Sequence, residues 1–333
     1  MAEMASGDDV LLLFTPFQRE LLAHCYRMLG SIHDAEDMVQ VTFLRAWRSY
    51  DRFEGRSLLR TWLYRIATNV CLSAIEEGGR RPMPSALGGP NGEPERPVVP
   101  APEMTWLEPI PDALFVDGAA DPAAIVVSRE SMRLAFIAAL QHLPAKQRAV
   151  LILRDVLSWR ANEVAELLDT TTAAINSALQ RARAQLEQVA PSADKVEEPA
   201  DPDRRALLDR YVAAFERADV PAITQLLRDD VVWEMPPFTA WFVGAGAVGR
   251  LIAAQCPAGP DDSRMIATSA NGQPAFALYI RRADGIRHAH SLQVLTLSPA
   301  GVAHVGAFFD RGLFATFGLP LVHPSAVGVA AAR

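Results

Sequence analysis

The fold of this chain turns on residues 143–186, LPAKQRAVLILRDVLSWRANEVAELLDTTTAAINSALQRARAQL. Val164, Ala165 and Leu168 recur at helical spacing, as do Ile175, Ala178, Leu179, Ala182 and Leu186, and the polar run Asp169 to Thr171 separates the two sets. This spacing predicts two amphipathic helices joined by a tight turn, a helix-turn-helix. The second helix presents Ala173, Ser177, Gln180, Arg181 and Ala184 away from its apolar stripe, flanked by Thr172 and Asn176. Small side chains permit close approach, and amide and guanidinium groups pair with base edges, so the face suits a major groove. Periodicity alone fits an ordinary helical hairpin with a solvated outer face equally well.

Working outward, residues 14–77 read as further helices. Leu21, Leu22, Cys25, Met28 and Leu29 mark one apolar face, with Gly30 at a helix C-cap position. Ser31 and Asp34 form an N-cap pair for a second helix with Ala35, Met38, Val39, Ala46 and Trp47 inward, and Leu59, Leu63, Ile66 and Val70 mark a third. From Gly78 to about Asp121 repeated prolines and glycines erase the pattern, which predicts an extended linker. Embedded in it, TWLEPIPDALF (105–115) is too apolar for a passive spacer; packing onto a neighbouring domain and a specific regulatory contact are both open to it. Beyond a charged stretch at 191–199, helical periodicity over 207–227 gives way to candidate strands at 231–235, 275–281, 288–297 and 302–309, the pattern of an α+β domain.

The 333 residues suffice for two or three domains. A net charge of −7 counts against nucleic-acid binding in bulk, yet residues 129–190 carry +2 while residues 79–128 carry −4. Cys25, Cys71 and Cys256 lie far apart with no metal-ligand spacing, and His288 and His290 share a strand face without further ligands, so no metal or cofactor is expected. The acidic start, MAEMASGDD, and the lack of a long apolar run predict a soluble, cytoplasmic protein with no membrane partner.

Residues 143–186 resemble the −35-binding region four of extracytoplasmic-function (ECF) sigma factors of the sigma-70 family, with Arg160 where that family often has a Ser or Thr cap. The resemblance implies −35 contacts from Arg160, Thr171, Thr172, Ala173, Asn176, Ser177, Gln180 and Arg181. DAEDMVQVTFLRAW (34–47) resembles the region-two helix that docks on the polymerase clamp, which implies contacts from Asp37, Gln40, Val41 and Leu44; many members carry Glu where this chain has Val41. DRFEGRSLLRTWLYRIATNVCLSAI (51–75) resembles the −10 segment. It implies base capture by Phe53, Glu54, Arg56 and Ser57, and contacts to melted DNA from Arg60, Tyr64, Arg65 and Asn69, with Trp62 read as core. Aromatic rings stack on unpaired bases and arginines hold the backbone, which suits such a role.

Residues 207–252 and 308–320 are similar to SnoaL-like, NTF2-like domains, implying a cone of helices against a curved sheet around a pocket lined by Trp233, Met235, Trp241, Tyr279, His290, Phe308 and Asp310. The expected architecture is thus multidomain: region two (1–78), a Pro-rich linker (79–128), region four (129–190), a short linker (191–198) and an α+β SnoaL-like domain (199–333). No catalytic residue is assigned. In sigma factors fused to such a domain the extension regulates in cis, which implies that Trp106, Leu107, Pro109, Ile110 and Pro111 dock on it. Implied partners are core RNA polymerase through its clamp and flap, promoter DNA, a small ligand in the C-terminal pocket and an anti-sigma factor. The competing reading is a SnoaL-like ligand-binding protein or a hydrolase or isomerase with accessory DNA-binding domains.

Overall fold

A computed structural model of the chain describes residues 12–53, 58–115, 130–189 and 200–326. The chain divides into two compact units that do not follow sequence order: Met1–Arg81 with Leu107–Ala193, and Pro82–Trp106 with Asp194–Arg333. The division differs from the expected map in two ways. Both helical blocks share one unit, and the Pro-rich stretch is split between the units instead of standing apart as a linker.

In the helical unit, α1 (Gln18–Leu29), α2 (Ile32–Ser49) and α3 (Leu59–Gly78) enclose Leu21, Cys25, Met28, Ile32, Ala35, Leu63 and Ala67, all fully buried. Gly30 ends α1 in the left-handed region at φ 72°, and the Ser31 hydroxyl caps α2 by accepting from the Asp34 N–H (3.1 Å). Trp47, expected inward, is 46% exposed. It follows Asp37, Gln40 and Leu44 at helical spacing and so shares their outward face.

The second helical block contains α4 (Leu134–Leu140), α5 (Ala145–Leu151), which runs into a π-helical turn at Ile152–Val156, α6 (Ala161–Leu167) and α7 (Thr172–Val189). Asp169, at φ 51°, reverses the chain between α6 and α7. Ile175, Leu179 and Ala182 are buried, as the helix-turn-helix pattern requires.

The second unit begins with α8 (Asp201–Glu216) and α9 (Val220–Leu226), followed by β1 (Leu227–Glu234), β2 (Trp241–Val243), α10 (Ala245–Gln255), β3 (Ser263–Ala270), β4 (Gln273–Arg281), β5 (Arg287–Ser298), β6 (Gly301–Phe308) and α11 (Gly312–Thr316). The strands form one six-stranded sheet in the order β2-β1-β6-β5-β4-β3, with β1 parallel to β6 and the other pairs antiparallel. Tyr211, Phe215, Ile223, Val248 and Leu251 pack with Trp233, Phe276, Leu295 and Val305 in one core. Strand alternation sends Tyr279 the other way, against Phe314 (5.4 Å between ring centroids). The sheet is thus covered on both faces, an α+β fold of the NTF2-like kind.

Candidate functional site

The residues expected to read DNA on α7 lie at the surface of that helix. Thr171, Thr172, Ala173, Asn176, Ser177, Gln180 and Arg181 are all exposed, and the Thr171 hydroxyl accepts from the Ala174 N–H (3.2 Å), capping the helix that presents the others. Arg183 is held by Asp155 (2.8 and 2.7 Å), whereas Arg181 has no ion-pair partner among the described residues. Arg160 occupies the N-cap of α6. Its N–H donates to Glu163 (2.6 Å), which supplies the carboxylate half of a capping box, and its guanidinium, having no acceptor atom, cannot supply the other half.

The −10 residues divide by helix face. Arg60, Tyr64, Ala67 and Cys71 follow the inward stripe of α3, so Tyr64 is only 1% exposed. Its ring lies against His24 (5.1 Å) and Trp159 (5.3 Å). Arg60 sits over that ring and pairs with Glu20 (2.7 Å). Tyr64 is therefore a core residue and Arg60 a paired one, contrary to expectation. Arg65 and Asn69 are exposed on the opposite face. Phe53 packs with Trp62 (4.9 Å); Glu54, Arg56 and Ser57 lie outside the described residues. On α2, Asp37, Gln40 and Leu44 are exposed with Trp47, and Val41 is half-buried.

Sequence reading missed how the helical blocks lock together. Arg148, on α5, is 1% exposed, and its guanidinium donates to the Met28 carbonyl at the end of α1, to Gln141 Oε1 (2.8 Å), and to the carbonyls of Gln141 and Leu143 (3.2 Å each). Burial lowers its pKa to about 10, so it is still charged at neutral pH. Arg27 reaches Ser131 Oγ (2.9 Å) in the same way. An arginine inside an amphipathic pattern reads as a surface residue, so nothing in the spacing singled out Arg148.

The Pro-rich stretch is two structures. Residues 82–106 form a strap on the second unit. Ser85 N–H donates to Glu234 (2.8 Å), the Trp241 indole donates to the Gly88 carbonyl (3.0 Å), and Ala101 N–H donates to the Pro237 carbonyl (2.9 Å). Glu234 also binds His304 (2.7 Å); against burial, which raises its pKa, these bonds hold the carboxyl below its ordinary value. Gln255, at the end of α10, uses its whole amide on the strap: it donates to the carbonyls of Pro94 (2.8 Å) and Arg96 (2.7 Å) and accepts from Val98 N–H (3.2 Å). Trp106 closes the strap, its indole donating to the Ala101 carbonyl (3.4 Å).

Leu107, Pro109, Ile110 and Pro111 do not join the C-terminal domain as expected; they are buried in the helical unit. Glu108 anchors them. Its carboxylate accepts from Ser31 Oγ (2.8 Å) and Ile32 N–H (3.1 Å) at the start of α2, and its carbonyl accepts from the Tyr26 hydroxyl (2.7 Å). Arg81, just before the strap, pairs with Asp34 (2.5 Å) and lies 3.9 Å from Glu108. Arg81 and Glu108, which precede and follow residues 82–106 in the chain, therefore meet in one charged cluster at the N-terminus of α2.

The second unit has an open cavity of about 340 Å³ between its helices and sheet. Trp233, Met235 and His290 line it as expected. The other four do not: Tyr279 and Phe308 fall on the opposite strand parity, Trp241 holds the strap, and Asp310 accepts from the Gly312 N–H (2.8 Å). Missed lining residues include Phe238, Gln255, Ser291, Gln293 and Phe309, together with Val98 from the strap. Leu278 pairs with Ser291 and Tyr279 with Ala289, so His290 is the extra residue of a bulge, and both His290 and Ser291 reach the cavity. Burial and Arg282 lower the His290 pKa to about 4, and burial raises that of Cys256, so both are neutral at pH 7. No carboxylate or cationic side chain lines the cavity among the described residues.

These features define a polymerase specificity subunit with an appended cavity domain, and comparison with known proteins agrees. Family models for sigma-70 region 2 match residues 13–81, for sigma-70 region 4 residues 133–186, and for a SnoaL-like domain residues 208–309. The ECF RNA polymerase sigma factor SigG of Mycobacterium tuberculosis is 54% identical over 307 residues, covering 92% of this chain and 82% of SigG. SigJ of the same organism is 29% identical over 66% of this chain and 62% of its own length. The crystal structure of SigJ superposes with a TM-score of 0.60 at 22% identity, covering 93% of this chain and 99% of that one, a likeness of fold. The chain belongs to the ECF sigma factors. It is a transcription regulator, and among the described residues no helix is long and apolar enough to cross a membrane.

Proposed function

We propose that this sigma factor binds core RNA polymerase through the α2 face of Asp37, Gln40, Leu44 and Trp47, reads the −10 element through Arg65 and Asn69, and reads the −35 element through the exposed face of α7. We further propose that the C-terminal domain sets this activity in cis by holding the strap. Core polymerase must present the two DNA-reading blocks at the separation of the promoter elements, whereas here they share a core. The observation that carries the reading is the guanidinium of Arg148, which joins the second block to the carbonyl of Met28 in the first. The cluster of Arg81, Asp34 and Glu108 at the start of α2, formed by the residues that flank the strap in the chain, supports the regulatory part.

Run-off transcription with purified core polymerase and the gene's own promoter tests the reading. The double variant Gln180→Ala, Arg181→Ala is expected to lose about tenfold or more in transcript, because each base-edge contact contributes about 1–3 kcal/mol. Transcription from a template with a scrambled −35 element should be insensitive to the same substitutions. Equal loss on both templates would assign the helix a nonspecific or structural role.

A further inference from the structure

Polar ties reinforce the apolar core in fixing α7. Arg183 stands seven residues after Asn176 and three after Gln180, so the three side chains follow one stripe of the helix. An arginine closing a DNA-reading stripe would ordinarily be left free for the phosphate backbone. Here Nε and Nη2 of Arg183 instead donate to the two carboxylate oxygens of Asp155 (2.8 and 2.7 Å), a bidentate pair of fixed geometry. Asp155 belongs to the π-helical turn Ile152–Val156 that follows α5, closed by the Leu157 N–H donating to the Ile152 carbonyl (2.9 Å). Such turns are rare and concentrate at functional sites. A second strut meets the chain just before α5, where the Gln185 amide donates to the His142 carbonyl (2.7 Å). The recognition helix is thus tied to residues on both sides of α5.

We propose that Asp155 is a positioning residue for −35 recognition, holding Arg183 so that Asn176 and Gln180 meet the base edges in register. The inference rests on the reading of α7 as the −35 reader. Gln180 lies only about 4.5 Å along the helix axis from Arg183, so the strut acts beside the reading residues. Hydrogen bonds to base edges hold over a donor–acceptor window of about 0.5 Å, and a drift of α7 by about 1 Å breaks them. The carboxylate itself is unfavourable beside DNA, where it repels phosphate and occupies an arginine that could displace counterions. Orientation accounts for its place at the end of the stripe, and affinity does not. Loss of orientation lowers promoter-specific transcription, whereas relief of repulsion raises it, so the sign of the Asp155→Asn effect separates the two.

The test is run-off transcription by core polymerase with the full chain, on the cognate promoter and on a template with a scrambled −35 element. Asp155→Asn should lower the cognate transcript about fivefold or more, the equivalent of one base-edge contact, and leave the scrambled template unchanged. The exchange Asp155→Arg with Arg183→Asp restores the ion pair in the reversed sense and should recover most of the loss. Urea midpoint and core affinity should stay as in the unsubstituted protein, since a partly exposed ion pair contributes little to stability. No loss, a gain, an equal loss on both templates or a matching fall in the urea midpoint overturns the inference. Failure of the exchange to rescue assigns Arg183 a phosphate contact and overturns it as well. The double variant Gln180→Ala, Arg181→Ala separates the two levels. If it loses −35 dependence and Asp155→Asn does not, the inference falls alone; if neither does, the reading of α7 falls with it.

Discussion

Replacing Arg148 with methionine should destabilise the helical unit by about 3 kcal/mol or more, visible as a lower urea midpoint for its unfolding transition. The guanidinium is 1% exposed and donates to four oxygens, those of Met28, Gln141 (both its side chain and its backbone) and Leu143. Methionine fills much of the volume but offers no donor, so several buried acceptors lose their only charged partner, each at about 1–3 kcal/mol before relaxation. Lysine should not restore stability, because one ammonium cannot reproduce a planar fork that meets acceptors on two helices and a turn. Since the Met28 carbonyl belongs to the first block, the variant should also speed amide exchange where α1 meets α5. An unchanged midpoint would mean that the blocks are held together by apolar packing alone.

The second large effect is on polymerase binding. Leu44→Asp combined with Trp47→Ala should weaken core affinity by about tenfold or more, the loss of at least one central apolar anchor of about 2 kcal/mol. Leu44 and Trp47 are 52% and 46% exposed on a helix that otherwise buries its apolar side chains. Exposed large side chains on a rigid helix, beside Asp37 and Gln40, are what an interface core requires and a solvated surface does not. Because neither residue is core, thermal unfolding of the free protein should shift little. Normal core affinity in a normally folded double variant would remove α2 from the interface.

The helix-turn-helix was legible in the sequence because its apolar positions, its polar turn and its recognition face all follow one period. The exposure of the α7 residues follows from that period. Tyr64 misled because the same aromatic serves stacking on bases and packing in a core; only the stripe through Arg60, Ala67 and Cys71 separates the two, and it depends on a partner, Trp159, distant in sequence. The edge strands β2 and β3 were invisible: Trp241–Val243 is too short to show alternation, and Ser263–Ala270 lacks β-branched enrichment. The strap was hidden for a different reason. Its contacts are backbone groups meeting Glu234, Trp241 and Gln255, and proline-rich composition says nothing about where backbone hydrogen bonds go. The cavity emerged in part, since strand parity assigns Trp233 and Met235 correctly but the bulge at His290 shifts the count for the residues around it.

The measurement that bears most directly on control in cis is run-off transcription from the cognate promoter by core polymerase with three proteins at equal concentration: the full chain, a truncation ending at Asp194, and the full chain carrying Trp241→Ala and Gln255→Ala, which removes two of the side-chain anchors of the strap. The account predicts that truncation and strap release change transcript yield in the same direction, by about threefold or more, a shift of at least about 0.6 kcal/mol in the balance between compact and promoter-competent states. Equal yields and equal core affinities from all three proteins would contradict it.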